Sequence, residues 1–250
     1  MRTFGLIGYP LSHSFSQKYF TEKFAKENIK ETEYKLFPLE EISAFKQLIE
    51  NESTLKGLNV TIPYKETIIS FLHELDQTAK EVGAVNTIKV TDDLKLIGYN
   101  TDIIGFRESL KPLLASHHER ALILGTGGAA KAVNYVLTQI GVACSYVSRN
   151  RTQLPSGEKV FDYKELNRHT MEAFHLIVNT TPLGMHPNSN TCPEIPYEYL
   201  TPRHLLYDLV YNPEQTMFLK KGKEKNTITQ NGLNMLYLQA EKAWEIWNNN

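Results

Sequence analysis

A glycine-rich turn in the middle of the chain is the segment whose residue types point most directly to chemistry. An apolar run at 121–124 leads into Gly125-Thr126-Gly127-Gly128-Ala129-Ala130, and a helical pattern follows. Glycines in a strand–turn–helix context permit a tight turn and let backbone N–H groups approach a phosphate at the positive end of the helix. Ala130 stands where a third glycine is common, and a small residue is sufficient there. The turn therefore predicts a dinucleotide site; the alternative is an ordinary glycine-rich turn without a ligand.

The end of the next apolar run indicates which dinucleotide would bind. The chain continues there as Tyr146-Val147-Ser148-Arg149-Asn150-Arg151 and offers two arginines but no acid. A carboxylate at this point would accept a hydrogen bond from the ribose 2′-hydroxyl of NAD, whereas a guanidinium group matches the 2′-phosphate of NADP. The segment favours NADP(H), and two solvated surface arginines are the alternative.

Four polar segments in the first hundred residues lie at predicted strand ends, where open α/β sheets bind ligands. They are Ser12-His13-Ser14-Phe15-Ser16, Asn59-Val60-Thr61-Ile62-Pro63-Tyr64-Lys65, Ala84-Val85-Asn86-Thr87 and Asn100-Thr101-Asp102. Taken singly, each has a purely structural explanation, such as Ser14, Ser16 or Asp102 capping a helix. A lysine in the first turn of a helix, as predicted for Lys65, is disfavoured by the helix dipole. Together the segments predict a polar binding site.

The elements that must position these residues are short apolar runs alternating with amphipathic stretches, a pattern typical of βαβ units and a mainly parallel sheet. In the first half we predict strands at 4–7, 33–37 and 57–62, a hairpin of 85–90 with 94–99, and helices from Ser16, over 42–49 and over about 65–75. A new α/β pattern begins near residue 101. It has a helix over 103–114, strands at 121–124, 142–147, 176–178 and 205–209, and a C-terminal helix over 233–247.

The composition excludes several classes of protein. The chain has 250 residues with 27 Lys and Arg against 28 Asp and Glu, a balance that argues against nucleic acid or an anionic membrane as the main partner. No apolar stretch approaches the roughly 18–20 residues of a membrane span. Two cysteines are too few for a disulfide framework or a cysteine zinc site, and the histidines lack ligand spacing, so we expect no metal. We expect a soluble cytoplasmic protein.

The ordered motifs resemble the shikimate dehydrogenase family over almost the full length of the chain. Besides the four polar segments and the glycine turn, the resemblance is carried by Asn179-Thr180-Thr181-Pro182-Leu183-Gly184-Met185, Tyr207-Asp208-Leu209-Val210-Tyr211-Asn212-Pro213 and Asn231-Gly232-Leu233-Asn234-Met235-Leu236, followed by Gln239 and Ala240. The resemblance implies an α/β protein of two domains with a cleft between them. The N-terminal substrate domain, residues 1–101 plus 234–250, would have a mixed, mainly parallel sheet, and residues 102–233 would form a Rossmann-type NADP-binding domain.

The same resemblance implies the activity and the site. The reaction would be the NADPH-dependent, reversible reduction of 3-dehydroshikimate to shikimate on the route to aromatic amino acids, by a monomer or homodimer. Lys65 and Asp102 match the catalytic pair of the family. The residues matching its substrate site are Ser14, Ser16, Thr61, Asn86, Tyr211 and Gln239. Those matching its cofactor site are Gly125, Thr126, Gly127, Gly128, Ala129, Ser148, Arg149, Asn179, Thr180, Met185, Leu209 and Gly232.

Departures from the family pattern and two rival functions accompany this interpretation. Gln17 replaces a usual proline, Asn234 a common glycine, and the chain is shortened after Thr152, beside the expected adenosine pocket. One rival is a quinate/shikimate dehydrogenase using NAD(P), against which Ser14 and the Ser148-Arg149 pair argue. The other is a non-catalytic sensor of NADP or a metabolite, which would not need both a proton-donating lysine and its carboxylate.

Overall fold

Two six-stranded sheets organise the computed structural model, which describes residues 1–11, 14–149 and 159–249. Met1–Thr101 with Ala240–Asn250 form the first unit, and Asp102–Gln239 form the second. Residues 234–239, which the family resemblance places in the first domain, thus fall in the second unit. The reason is local: a Cβ added at Gly105 would collide with the carbonyl oxygen of Met235, so the start of the C-terminal helix packs closely within the second unit.

The sheet of the first unit is mixed. Its strands are β1 (Arg2–Gly8), β2 (Thr32–Pro38), β3 (Leu55–Val60), β4 (Glu74–Leu75), β5 (Thr87–Val90) and β6 (Leu96–Tyr99), in the order β2-β1-β3-β5-β6-β4. β1 is parallel to β2 and β3, β4 is parallel to β6, and β5 is antiparallel to β3 and β6. The predicted hairpin is the β5–β6 pair, and the predicted mixed, mainly parallel sheet is confirmed.

An aromatic layer joins the helices of this unit to the sheet. The helices are α1 (Phe15–Lys26), α2 (Phe45–Asn51), α3 (Gln77–Val82) and the C-terminal part of α8 (Leu233–Asn248). Phe20 stacks on Tyr34 with ring centroids 4.7 Å apart, and Trp247 stacks on Phe4 at 4.8 Å. The Trp247 indole N–H also donates to the carbonyl of Ile88 at 3.0 Å. The C-terminal helix that the sequence predicts therefore ends docked on the first unit.

The predicted helix over 65–75 is wrong. This stretch forms a short 3-10 turn over Thr67–Phe71 and then β4. A run of β-branched residues, Thr67-Ile68-Ile69, lowers the helical propensity there. The helix begins only after Asp76, whose carboxylate accepts a hydrogen bond from the N–H of Ala79 at 2.8 Å. The strand expected over 57–62 also shifts, ending at Val60.

The sheet of the second unit is entirely parallel. Its strands are β7 (Arg120–Leu124), β8 (Ala143–Val147), β9 (Val160–Phe161), β10 (Leu176–Asn179), β11 (Leu205–Asp208) and β12 (Ile228–Gln230), in the order β12-β11-β10-β7-β8-β9. Counted within the unit this is the order 3-2-1-4-5-6 of doubly wound dinucleotide-binding sheets, which bind ligands where the strand order reverses. That point lies between β7 and β10. The predicted Rossmann-type fold is confirmed.

In the described part of the second unit, the helices beside this sheet are α4 (Asp102–Leu110), α5 (Gly128–Gln139), α6 (Arg168–Ala173), α7 (Met217–Lys223) and the start of α8. The helix predicted over 103–114 ends four residues early, at Leu110, because Pro112 lies in a 3-10 turn that follows. Within the described residues, no helix combines the length and apolar character needed to cross a membrane.

Candidate active site

The glycine turn lies at the reversal point of the second sheet. Gly125 has φ of +108°, a conformation that favours glycine, and a Cβ there would come within 2.8 Å of the Thr180 hydroxyl oxygen. Gly127 is the N-cap of α5 and provides no side-chain cap, and a Cβ added to it would meet no atom within 4 Å. Open space therefore adjoins the start of α5, between the half-buried Thr126 and Ala129. This geometry fits a pyrophosphate held by first-turn N–H groups.

The loop after β10 is tied to this turn. Both the backbone N–H and the hydroxyl of Thr180 donate to the carbonyl of Leu124, at 3.0 and 2.6 Å. The amide oxygen of the fully buried Asn179 accepts from the N–H and the hydroxyl of Thr181, at 3.1 and 2.7 Å. Met185, at the far end of the loop, is exposed. The structure thus brings Asn179 and Thr180 to the end of β7.

Two further predicted cofactor residues lie beside this loop. The N–H of Leu209 donates to the carbonyl of Asn179 at 2.9 Å, and the N–H of Gly232 donates to the carbonyl of Val210 at 3.2 Å. A Cβ added at Gly232 would collide with the carbonyl oxygen of Leu209. Only glycine allows this approach, so Leu209 and Gly232 are brought together at the carboxyl edge of the second sheet. Tyr211 follows, half-buried.

The end of β8 carries the residues predicted to recognise the 2′-phosphate. The N–H of Ser148 donates to the carbonyl of Phe161 at 2.9 Å, and the side chain of Arg149 is exposed. Burial raises the pKa of Tyr163 to about 12, and the nearby positive charge of Arg149 opposes that rise. Arg151 and the shortened segment after Thr152 lie outside the described residues.

A buried carboxylate that sequence reasoning did not single out lies next to these loops. Asp208, at the end of β11, has no exposed surface. It accepts hydrogen bonds from the Thr216 hydroxyl at 2.6 Å, the Asn179 side-chain amide at 2.9 Å and the Val210 N–H at 3.1 Å. Burial raises the pKa of its carboxyl to about 6, and the three hydrogen bonds oppose the rise. The signal in the sequence was a charged residue inside an otherwise apolar strand.

In the first unit, Asn86 is held by three donors. Its amide oxygen accepts from the Thr101 N–H at 2.7 Å and from the hydroxyls of Thr101 and Thr87, both at 3.2 Å. All three residues are buried. The orientation of the Asn86 amide is therefore fixed by its neighbours.

A second hydrogen-bonded chain reaches the same place from β2. The hydroxyl of the buried Tyr34 donates to the amide oxygen of Asn59 at 2.8 Å. The Asn59 amide in turn donates to the hydroxyl of Thr87 at 3.3 Å and to the carbonyl of Asn86 at 3.4 Å. Sequence reasoning missed Tyr34, because nothing in the strand pattern of β2 distinguishes its phenol from an ordinary core aromatic.

The remaining predicted residues divide between the two units. Thr61 and Lys65 are half-buried in the first unit, and the Lys65 carbonyl accepts from the N–H of Val85 at 2.7 Å, next to Asn86. Ser14 caps α1, accepting from the N–H of residue 17 at 3.3 Å, so the capping interpretation is confirmed for it. The predicted residues that belong to the second unit are Asp102, which is buried in the first turn of α4, and the half-buried Tyr211 and Gln239. In the part of the chain that is described, no three His, Cys, Asp or Glu side chains are placed to hold a metal ion.

Comparison with known proteins identifies the family. Residues 6–88 match the family model described as "Shikimate dehydrogenase substrate binding domain". A protein named "Shikimate dehydrogenase (NADP(+))" from Carboxydothermus hydrogenoformans is 40% identical over 258 residues, covering 97% of this chain and 90% of that protein. The chain belongs to the shikimate dehydrogenase family. The family that the motifs predicted is confirmed.

Solved structures agree on the fold but not on a single substrate. Shikimate 5-dehydrogenase from Thermus thermophilus, in complex with NADP(H) and shikimate, has a TM-score of 0.85 at 29% identity, covering 99% of this chain and 94% of that one. Quinate dehydrogenase from Corynebacterium glutamicum, in complex with NAD, has a TM-score of 0.87 at 25% identity, covering 99% of this chain and 93% of that one. Because both enzymes share the fold, the choice of substrate and cofactor must depend on individual side chains.

Proposed function

We propose that this chain is an NADP-dependent shikimate dehydrogenase that interconverts 3-dehydroshikimate and shikimate. One observation carries the proposal. The glycine turn, which has no side-chain cap, lies at the point where the strand order of the second sheet reverses. In the same chain, hydroxyl and amide side chains form a hydrogen-bonded network at the edge of the first sheet. The relatives named as NADP(+) enzymes support the choice of cofactor. We assign NADP(H) to the second unit and the substrate chiefly to residues of the first.

The substrate is a small polyol with a carboxylate, which requires several convergent donors and acceptors. We assign its carboxylate to the hydroxyls of Ser14 and Ser16, with Thr61 and Tyr211 nearby. Its ring hydroxyls are assigned to Asn86 and Gln239, with the catalytic pair. The amide oxygen of Asn86 accepts from Thr87 and Thr101, which fixes the side chain, and we assign its Nδ2 to a substrate oxygen.

Reduction of the ketone needs one hydride on carbon and one proton on oxygen. NADPH supplies the hydride to the carbonyl carbon when it is bound. The ammonium of Lys65 stabilises the developing alkoxide and donates the proton. We assign Asp102 as the second member of the catalytic pair, whose carboxylate would favour the charged form of the lysine.

The cofactor is assigned to the backbone of the glycine turn and to three loops around it. First-turn N–H groups of α5 would hold the pyrophosphate, and the exposed guanidinium of Arg149, with Ser148, would meet the adenosine 2′-phosphate. The other residues assigned to line the groove are Asn179, Thr180, Met185, Leu209 and Gly232. The cytoplasmic location, the absence of nucleic-acid and membrane partners, and the state as monomer or homodimer stay predictions from the sequence.

The experiment follows nicotinamide absorbance while crossing shikimate and quinate with NADP and NAD. Turnover confined to shikimate with NADP is the expected result. Comparable turnover with quinate or NAD would move the chain to the quinate/shikimate dehydrogenases. Folded protein that binds NADPH but turns over neither substrate would favour the sensor function instead.

A further inference from the structure

Asp208 is a buried carboxylate that the proposed chemistry does not use. It lies at the carboxyl end of β11, between the loop after β10 and the segment that leads to Tyr211. A charged group without exposed surface is costly unless its hydrogen bonds are satisfied, and Asp208 has three donors. A carboxylate in such a position needs a reason other than stability, because an apolar residue would be easier to bury.

The three donors come from three different segments. Asn179 is the last residue of β10, and its side-chain amide is the first donor. Val210 lies in the segment that follows β11 and donates its N–H. Thr216 is the N-cap of α7 and donates its hydroxyl. One carboxylate oxygen takes Asn179 and Val210, and the other takes Thr216. Asp208 therefore fixes the positions of the three segments relative to one another.

The contact with Asn179 continues into the loop after β10. With its amide N–H₂ directed at Asp208, Asn179 presents its oxygen to the N–H and the hydroxyl of Thr181. The Thr181 hydroxyl oxygen then accepts from the N–H of Leu183 at 3.3 Å. The methyl group of Thr181 also lies 3.1 Å from where a Cβ would stand on Gly125, beside the glycine turn. A continuous series of contacts thus connects the buried carboxylate to the rim of the cofactor site.

We propose that Asp208 is a positioning residue for NADP(H), acting through Asn179 and Thr181 on the loop 180–185 and through the Val210 N–H on the segment at 209–211. Asp208 itself is assigned no contact with either NADP(H) or the substrate. The inference deepens the proposed function and rests on it, since these loops matter only if the second unit binds the dinucleotide. A positioning role predicts that loss of the carboxylate weakens cofactor binding more than it weakens substrate binding.

The test compares two substitutions of similar volume. Asp208→Leu removes both acceptor oxygens, whereas Asp208→Asn keeps one oxygen for the donors Asn179 and Val210. Hydrogen bonds to charged groups are strong enough that Asp208→Leu should raise the Kd and the KM for NADPH about tenfold or more. Asp208→Asn should raise them by about two- to threefold, and the KM for shikimate should change by less than about threefold in both.

A core control separates positioning from general destabilisation. Phe174 is buried in the core of the same unit and packs edge-to-face against Phe161 of the edge strand β9, so Phe174→Leu should lower the melting temperature while leaving the KM for NADPH unchanged. If Phe174→Leu and Asp208→Leu change that KM equally, or if Asp208→Leu binds NADPH like the wild type, the proposal is wrong.

A second pair of variants covers the case in which Asp208→Leu does not fold. Thr181→Val keeps the shape of the side chain but loses the hydroxyl that bonds Asn179 and Leu183, whereas Thr181→Ser keeps the hydroxyl. We expect the KM for NADPH to rise about threefold or more in Thr181→Val and to stay closer to the wild-type value in Thr181→Ser. Equal values in the two variants would overturn the proposal.

NADPH binding is measured by fluorescence titration without substrate, alongside turnover. A wild-type protein that binds NADPH without turning over shikimate would refute the proposed function and leave the Asp208 comparison valid. If the wild type turns over shikimate normally and the variants do not differ in NADPH binding, the proposed function stands and the role of Asp208 is refuted.

Discussion

The two sheets end in polar groups of different kinds. At the edge of the first sheet, side chains bond to one another: Asn86 is held by Thr87 and Thr101, and Asn59 links Thr87 to Tyr34. At the edge of the second sheet the glycine turn offers backbone groups instead: a Cβ on Gly127 would meet open space, and the Thr180 N–H is tied to the end of β7. A substrate is thus assigned to side chains and a cofactor to main chain.

This difference has a direct consequence for mutation. Where side chains make the contacts, removing atoms removes function, and a single truncation is expected to be severe. Where the backbone makes them, truncation has little to remove and adding atoms does the damage. The following predictions test that contrast, beginning with the largest effect.

Lys65→Ala is expected to give the largest loss in the first unit. Removing the proton donor should lower kcat about 10²- to 10⁴-fold with a much smaller change in KM, because the ammonium acts mainly on the developing alkoxide. Steady-state absorbance measurements with shikimate and NADP check this. The control is Lys18→Ala, since the Lys18 side chain is 79% exposed and forms a long ion pair with Glu22, at 3.9 Å. A kcat near the wild-type value in Lys65→Ala would remove lysine from the mechanism.

Adding atoms to the glycine turn should damage the second unit in two separable ways. Gly127→Val projects into open space, so the melting temperature should fall only by the small cost of a less favourable N-cap while the Kd for NADPH rises about tenfold or more. Gly125→Ala imposes a positive φ on alanine and should cost about 1–3 kcal/mol of stability. Calorimetry and NADPH titration check both.

Gly141→Ala is the matched control for backbone strain. Gly141 also has a positive φ, but a Cβ there meets no atom within 4 Å. We expect this variant to lose stability and to keep its NADPH affinity. If Gly127→Val binds NADPH normally, the pyrophosphate does not lie against the start of α5.

Arg149→Ala tests an assigned side-chain contact in the second unit. The guanidinium of Arg149 is the charged group assigned to the 2′-phosphate. Loss of its charge-assisted hydrogen bonds should weaken NADPH binding about tenfold and leave NADH binding almost unchanged. Binding titrations with both cofactors measure this, and Arg168→Ala, an exposed arginine paired with Glu172, is the control. Equal losses for the two cofactors would contradict the assignment.

Acid should affect the two units unequally, which is the smallest of the expected effects. At the amino edge of the second sheet, the rings of His117, His118, His175 and His204 lie next to one another. The centroid of His117 is 4.3 Å from that of His118 and 5.6 Å from that of His175, which is 5.2 Å from that of His204. His118 accepts from the N–H of Ala115 at 2.9 Å through Nδ1, which must be unprotonated to do so. Through Nε2 it hydrogen-bonds the carbonyl of Arg203 at 3.2 Å.

The pKa shifts of this histidine cluster give the direction in which stability changes with pH. Burial is the largest cause that lowers the pKa values of His118, His175 and His204, and neighbouring positive charges add to it. Unfolded histidines titrate near 6.5, so these three histidines bind fewer protons in the folded unit than in the unfolded chain below that pH. Their contribution to stability should be full above about pH 6.5 and should fall as the pH drops further, whereas the raised pKa of Asp208, about 6, acts in the opposite direction.

Hydrogen exchange in β7, β10 and β11 between about pH 7.5 and 5 measures this loss in the second unit. Fluorescence reports on the first unit, because Trp244 and Trp247 are the only tryptophans of the chain and both lie there. His118→Gln should reduce the pH dependence, and the exposed His169→Gln should not. Equal acid sensitivity in the two units would show that the cluster is not responsible.

The sequence predicted the parts of the fold whose signal is local. The strand–glycine–helix pattern around Gly125 and the hairpin of β5 and β6 are confirmed, because turn chemistry and alternation are written in adjacent residues. The helix over 65–75 failed because β-branched residues and the Asp76 cap outweighed its apolar spacing. β9 and β12, of two and three residues, are too short to carry a pattern.

In the candidate site, too, the residues with a local sequence signal were predicted and the residues without one were not. Motifs identified residues at strand ends, such as Asn86 and Asn179, but not the residues that hold them. Tyr34 and Asp208 act through contacts 25 and 29 residues away in the chain, and no short motif records such a pairing. Whether each predicted residue has its assigned role stays a prediction that the variants above test.

Amide hydrogen exchange with one ligand at a time tests the assignment of the two units most directly. The account predicts two separate regions of protection. NADP should protect residues 125–131 and 180–185 in the second unit, and shikimate should protect residues 61–66 and 84–87 in the first. Protection of the glycine turn by shikimate, or of the first unit by NADP alone, would contradict the division between a side-chain substrate site and a backbone cofactor site.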